Sequence, residues 1–92
     1  MRSSKANILV VDDELHSLIA LQHLLSGPDR NVVPARSGRE ALRHVLKNDF
    51  AVILLDVRMP DMDGFETASL IRQLRRCRHT PIMFLTAAVE DT

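Results

Sequence analysis

Apolar and polar residues along the chain form blocks whose spacing changes between strand-like and helical. Short apolar runs bounded by turn formers or charged residues are typical of strands buried on both faces. Such runs occur at Ala6–Val11, Val32–Ala35, Phe50–Leu55 and Ile82–Leu85. Between them, apolar residues recur every three or four positions, as on the buried side of a helix. The pattern predicts the order β-α-β-α-β-α-β, which favours an α/β fold with an open parallel sheet and helices on both faces.

Local signals indicate the helix starts and the place of one strand. Each predicted helix follows residues that commonly cap a helix. These candidate caps are, in chain order, Asp12 with Asp13, Ser37 with Glu40, and Asp63 with Glu66. The second predicted strand contains Pro34, which has no backbone N–H to donate to a neighbouring strand. We therefore expect this strand at an edge of the sheet.

Composition narrows the possible functions. Twelve basic and twelve acidic side chains give a net charge of zero, which predicts neither a nucleic-acid surface nor a membrane surface. The 92 residues, of which 46% are apolar, suit one folded domain over residues 1–92. Cys77 is the single cysteine. It excludes an internal disulfide and favours a reducing compartment such as the cytoplasm, and we expect its thiol at the surface or half-buried.

Acidic residues follow two of the predicted strands. Asp12 and Asp13 come after the first strand, and Asp56 comes after the third. If these strands are neighbours, about 4.8 Å apart, the carboxylates lie close together and repel one another unless a cation lies between them. Mg²⁺ prefers such oxygen ligands. The alternative is that Asp12 and Asp13 only cap a helix and that Asp56 only begins a loop.

Four segments of the chain resemble the receiver domain of two-component response regulators. They are ILVVDDE (8–14), ARSGREAL (35–42), LLDVRMPDMDGFE (54–66) and TPIMFLTA (80–87). Together they cover essentially the whole chain in the family's order, and the run from FETASLIR to TPIMFLTA is most similar to receivers attached to hybrid sensor kinases. The resemblance implies a flavodoxin-like sheet with the strand order 2-1-3-4. It also implies a phosphorelay signalling module and not a substrate-turnover enzyme.

The resemblance also implies roles for individual residues at the acidic site. Asp56 would be the phosphoacceptor, taking a phosphoryl group from a phosphohistidine on a histidine kinase or a histidine phosphotransfer protein. Asp13 and Asp56 would bind Mg²⁺ directly, together with the backbone carbonyl of Arg58. Asp12 would act largely through a bound water.

Further positions near the site receive roles in the same way. Thr86 would bind a phosphoryl oxygen in the active state, and the backbone N–H of Ala87 would help. Gly64 would provide a backbone conformation that other residues resist.

The chain departs from the family pattern after its fourth predicted strand. Family receivers continue into a further helix, a fifth strand with a lysine at its carboxyl end, and a last helix, so we expect a truncated receiver in which no residue takes that lysine's role. The fourth strand would then be an exposed edge without charge or internal proline, which favours pairing with another chain. We therefore expect self-association through Ile82, Met83, Phe84 and Leu85.

Two other functions compete with the phosphoacceptor. A degenerate receiver could act only as an interaction or oligomerisation module. A Mg²⁺-dependent phosphatase of the haloacid-dehalogenase-like class would also use an aspartate nucleophile at a strand end. Those enzymes need a second aspartate two residues later, and this chain has Arg58 at that position, which argues against a phosphatase.

Overall fold

A computed structural model describes residues 5–85, which form a parallel four-stranded sheet with helices on both faces. The elements are β1 (Ala6–Val11), α1 (Leu15–Leu25), β2 (Arg30–Ala35), α2 (Gly38–Lys47), β3 (Val52–Asp56), α3 (Gly64–Arg72), a 3-10 helix (Arg75–Cys77) and β4 (Ile82–Leu85). The strand order is β2-β1-β3-β4. The predicted element order, parallel pairing and strand order are confirmed.

The sheet separates two apolar core layers. Because side chains alternate along a strand, Val10 faces α1, where it packs near Leu18. Its neighbour Leu9 faces the opposite way and packs in the layer that also contains Val45 of α2 and Ile71 of α3. All of these side chains are buried. No helix within residues 5–85 has the length and apolar character needed to cross a membrane.

Strand β2 lies at the edge of the sheet, as Pro34 predicts. It pairs with β1 alone among the described strands. The lack of an N–H at Pro34 therefore removes no hydrogen bond from the interior of the sheet. The strand begins at Arg30, two residues earlier than predicted. Strand β3 begins at Val52 and not at Phe50, whose ring is nevertheless buried in the core.

The caps of α2 and α3 are confirmed. Ser37 Oγ accepts a hydrogen bond from the backbone N–H of Glu40 at 3.1 Å. Asp63 Oδ1 accepts one from the N–H of Glu66 at 2.8 Å. The carboxylate of Glu40 accepts from the N–H of Arg36 at 2.7 Å, one residue before the position that a reciprocal capping box would use.

The predicted cap of α1 is wrong. Glu14, not Asp12 or Asp13, is the N-cap, and its carboxylate accepts a hydrogen bond from the N–H of Ser17 at 2.8 Å. Glu14 directly precedes the helix and has a side chain long enough to reach this donor. The two aspartates therefore lie outside the helix, at the end of β1.

The expected surface position of Cys77 is also wrong, because this side chain is only 5% exposed. Helix α3 ends at Arg72, and the following 3-10 helix turns Cys77 into the core layer that contains Ile71. Arg72 holds this turn in place, since its Nη1 donates to the carbonyl oxygens of Cys77 at 3.0 Å and Thr80 at 2.6 Å.

Candidate metal centre

The carboxyl ends of β1 and β3 lie side by side in the sheet. Val11, the last residue of β1, pairs with Leu55, so Asp12 and Asp56 follow at neighbouring strand ends. Carboxylate oxygens of Asp12, Asp13 and Asp56 all lie within 4.8 Å of one another. The structure thus brings together the three acids that the sequence singled out.

Asp12 is fixed by the turn between β1 and α1. Its N–H donates to the carbonyl oxygen of Ala35 at 3.0 Å, which extends the β1–β2 ladder by one residue. Its Oδ1 accepts from the N–H of Glu14 at 3.0 Å. The side chain is 8% exposed. A buried acid held by two backbone contacts is already positioned before any ligand arrives.

Asp56 lies at the centre of the acidic cluster and is partly buried. Burial raises the pKa of its carboxyl group, the negative charges of Asp12 and Asp13 raise it further, and the backbone N–H groups of Arg58 and Val57 oppose this rise. The ionised cluster therefore contains repulsion that a bound cation would offset.

Gly64 begins α3 directly beside Asp56. A Cβ on Gly64 would meet the carbonyl oxygen of Asp56 and, at 2.8 Å, the Cα of Val57. No glycine among residues 5–85 has a positive φ, and Asp61, with φ of 69°, is the residue that adopts the left-handed conformation in this loop. The expectation of an unusual backbone at Gly64 is therefore wrong, and the position requires glycine because two backbone segments approach closely.

The remaining predicted site residues are Arg58, Thr86 and Ala87. Arg58 is exposed and lines a depression next to the site together with Phe65. Thr86 and Ala87 lie outside the described residues. Leu85, which precedes them, lines a pocket of the site with Asp12 and Asp56.

Sequence reasoning missed Arg36 and Glu14 as neighbours of the cluster. Arg36 Nη2 lies 3.4 Å from the carbonyl oxygen of Asp13, and Glu14 lines the same pocket as Asp12. Both residues come after the carboxyl end of a strand, as Asp12 does. That position in the sequence could have identified them.

Comparison with known sequences decides the family. Residues 8–92 match the family model described as the response regulator receiver domain. The chain belongs to this family. The receiver is 41% identical over 87 residues to the transcriptional regulatory protein ZraR of Escherichia coli strain K12. This alignment covers 95% of the chain and 19% of ZraR. It thus spans about a fifth of the length of that relative.

Solved structures resemble the receiver over most of its length. The chemotaxis protein CheY4 of Vibrio cholerae has a TM-score of 0.88 and 37% sequence identity, over 95% of this chain and 72% of CheY4. The response regulator TrrA of Thermotoga maritima, solved in complex with Mg²⁺-BeF, has a TM-score of 0.82 and 32% identity, over 90% of this chain and 70% of TrrA. The flavodoxin-like fold and the assignment to two-component systems are confirmed.

Proposed function

We propose that residues 1–92 act as one receiver domain in which Asp56 accepts a phosphoryl group from a phosphohistidine donor, with Mg²⁺ as cofactor. The donor would be a histidine kinase or a histidine phosphotransfer protein, and the cytoplasm would be the compartment. The observation that carries this proposal is that the Asp12, Asp13 and Asp56 carboxylates converge within 4.8 Å at the carboxyl ends of the strands.

The residues of the cluster fit Mg²⁺ in number and chemistry. All offered donors are hard oxygen atoms. Burial, followed by the negative charges of Asp12 and Asp13, raises the pKa of Asp56, and a bound cation would offset both effects. Asp12, Asp13, Asp56 and the backbone carbonyl of Arg58 would hold the ion. When bound, Mg²⁺ neutralises charge on the phosphoryl oxygens. The Mg²⁺-BeF complex of TrrA is consistent with this proposal.

The chemical step assigned to Asp56 is an in-line displacement at phosphorus. A carboxylate oxygen of Asp56 forms a bond to phosphorus while the bond from phosphorus to the donor imidazole nitrogen breaks. The products are an acyl phosphate and, once the departing ring has taken a proton from water, a neutral imidazole. The attacking carboxylate has to be ionised. Burial and the charges of Asp12 and Asp13 raise its pKa, so a cation held by the cluster would favour the ionised form. Thr86 and Ala87 are proposed to bind the phosphoryl oxygens.

Incubation with acetyl phosphate and Mg²⁺ tests this function directly. We expect mass spectrometry to detect one added phosphoryl group that alkali removes, and we expect Asp56→Asn to lack it. Asp29→Asn is the matched control because Asp29 is exposed and lies in the turn just before β2, away from the cluster. Absence of the modification in the unaltered chain would contradict the phosphoacceptor role.

A second candidate, an interaction module, is favoured by the exposed side chains of β4. Met83 is 58% exposed and Phe84 is 40% exposed, and within residues 5–85 β4 pairs with β3 alone. We propose that the 92-residue chain self-associates through Ile82, Met83, Phe84 and Leu85. A phosphatase is not proposed, because Arg58 offers no carboxylate two residues after Asp56.

Light scattering of Met83→Lys measures the self-association. A charge on this exposed strand should lower the average mass at concentrations where the unaltered chain is larger than a monomer. Leu24→Lys is the control, since Leu24 is 77% exposed but lies on α1. A strictly monomeric unaltered chain would exclude this role and would leave the phosphoacceptor proposal intact.

A further inference from the structure

Among the described residues, most acidic side chains lie at one end of the sheet and a basic segment lies at the other. The carboxyl ends of the strands and the first turn of α3 carry most of the acids: Asp12, Asp13, Glu14, Asp56, Asp61, Asp63 and Glu66. Helix α3 then runs back towards the amino ends of the parallel strands. The segment at its end is basic and contains Arg72, Arg75, Arg76 and Arg78. A chain of zero net charge therefore has a locally positive end, on the opposite side from the candidate metal centre.

A groove with an apolar floor lies at this positive end. It runs between the last turn of α2 and the 3-10 helix and is lined by Leu46, Leu74, Arg75 and Arg76. Leu46 is 61% exposed, and Leu74 is half-buried against the core. We call this surface the α2–α3 groove.

The walls of the α2–α3 groove are held in place by hydrogen bonds. Arg76 Nη2 donates to the carbonyl oxygen of Val45 at 2.8 Å, and Arg76 Nε lies 3.7 Å from a carboxylate oxygen of Asp49. These contacts join the 3-10 helix to the end of α2. Arg72 fixes the other side of the same turn through the carbonyl oxygens of Cys77 and Thr80. The groove is therefore preorganised, which lowers the entropic cost of binding.

Arg75, unlike Arg72 and Arg76, has no fixed partner in the described part of the chain. Within residues 5–85 its side chain makes no hydrogen bond or ion pair, and it is exposed at the rim of the α2–α3 groove. An exposed arginine beside an apolar floor can bind a carboxylate while its neighbours bind an aliphatic side chain.

We propose that the α2–α3 groove binds an acidic amphipathic peptide segment of a partner protein. An aliphatic side chain of the segment would pack on Leu46 and Leu74, and its flanking carboxylates would bind Arg75 and the free edge of Arg76. The charge complementarity is local, because Asp49 stands beside Arg76 and would repel a continuous polyanion. This feature and the apolar floor favour a peptide over nucleic acid or an anionic membrane.

Titration of the isotope-labelled chain with a synthetic peptide that alternates glutamate and leucine pairs tests the proposal. We expect amide shifts in two-dimensional nitrogen–proton spectra to be confined to Leu46 and the segment 74–77. Fluorescence anisotropy with the same peptide carrying fluorescein then gives the affinity, which should fall as salt rises.

Two variants and their matched controls separate specific binding from general electrostatic attraction. Arg75→Glu should weaken binding roughly tenfold, because an attraction becomes a repulsion. Arg39→Glu, an equal charge change at an exposed position near the start of α2, should leave the affinity unchanged. Leu46→Ala should weaken binding roughly tenfold through lost apolar contact, whereas Leu24→Ala on α1 should have no effect.

Several results would overturn the proposal. One is an absence of shifts at the groove, and another is equal weakening by Arg39→Glu and Arg75→Glu. A third is Arg75-dependent binding to vesicles of phosphatidylglycerol and phosphatidylcholine, or to a DNA duplex, without binding to the peptide. None of these outcomes depends on whether Asp56 is phosphorylated.

Discussion

At the scale of single residues, the absence of a Cβ at Gly64 permits α3 to start beside the acidic cluster. The N–H of Gly64 donates to the carbonyl oxygen of Val57 at 2.8 Å, which draws the two backbone segments together. A side chain at this position would meet backbone atoms of Asp56 and Val57, and backbone atoms cannot turn away as a flexible side chain can. The residue therefore affects both stability and the geometry of the site.

Gly64→Ala is expected to destabilise the chain by about 1–3 kcal/mol, as overpacking usually does. Chemical denaturation monitored by circular dichroism measures the change. Gly27→Ala is the matched control, because a Cβ at Gly27 would meet the movable guanidinium of Arg30, at 2.7 Å from Nη2. Equal effects of the two substitutions would show that close backbone approach is not the reason for glycine at position 64.

Asp56→Asn is expected to raise the melting temperature of the Mg²⁺-free chain at neutral pH. The folded state raises the pKa of Asp56 through burial and the charges of Asp12 and Asp13. At a pH below the pKa that Asp56 has in the unfolded chain, its carboxyl group therefore favours folding. This contribution to stability is lost as the pH rises through the higher pKa that Asp56 has in the folded chain. Asparagine removes the repulsion. The difference in melting temperature between Asp56→Asn and the unaltered chain should therefore grow as the pH rises from the unfolded to the folded pKa of Asp56.

Thermal unfolding of both forms in the presence of a chelator, at several pH values from acid to neutral, tests this expectation. Asp29→Asn serves as the control, since it removes an equal charge from an exposed position. A lower melting temperature for Asp56→Asn at every pH would contradict the argument.

At the scale of secondary-structure elements, the start of each α-helix among residues 5–85 is set by a side chain that accepts a backbone N–H. Glu14, Ser37 and Asp63 do so for α1, α2 and α3. For α1 the structure differs from the sequence expectation, because three consecutive acids at 12–14 offered alternative caps. Only the position of the first helical residue, Leu15, selects Glu14 among them, and this selection leaves Asp12 and Asp13 in the acidic cluster with Asp56.

Ser37→Ala is expected to cost about 1 kcal/mol of stability, because the N–H of Glu40 loses its acceptor. Ser69→Ala on the exposed face of α3 is the control, and it should be neutral or slightly stabilising because alanine has the higher helix propensity. The free energy of unfolding from urea titrations gives both values. A loss that is no larger for Ser37→Ala than for Ser69→Ala would argue against the cap.

At the scale of the whole molecule, the strand order determines which residues meet. Strands β1 and β3 are separated in sequence by α1, β2 and α2, yet they are neighbours in the sheet. This crossover brings Asp12 and Asp13 next to Asp56, and it leaves β2, with its proline, at the edge. Under the proposed function, binding of an ion to the cluster is linked to the folding of the whole sheet, since the unfolded chain does not hold the three acids together.

Mg²⁺ is therefore expected to raise the melting temperature of the chain. The free energy of unfolding should rise by about 2.7 kcal/mol when free Mg²⁺ is about a hundredfold above its dissociation constant. A chelator should reverse this increase. Differential scanning calorimetry with and without MgCl₂ measures this, with NaCl at matched ionic strength as one control and Asp13→Asn as the other. An equal shift in NaCl, or in Asp13→Asn, would show that no ion is bound at the cluster.

Much of the candidate site could be predicted because strand ends are visible in sequence. The run before Asp56 is apolar without interruption. An acid directly after such a run has to lie at the carboxyl end of a strand. Residues whose place depends on packing were harder to predict. Cys77 is buried within a 3-10 helix, and Arg72 donates a hydrogen bond to its carbonyl oxygen, a contact that no periodic pattern of apolar residues indicates.

The sequence by itself determined the alternation of strands and helices, the edge position of β2 and the acids at two strand ends. These features are written in local patterns of apolarity, capping residues and a missing N–H. The tertiary structure decided the rest: which acid caps α1, why position 64 needs glycine, the burial of Cys77 and the α2–α3 groove with its fixed arginine. Each of these depends on particular hydrogen bonds and close contacts in the folded chain or on the exact end of a helix, and local sequence patterns do not encode them.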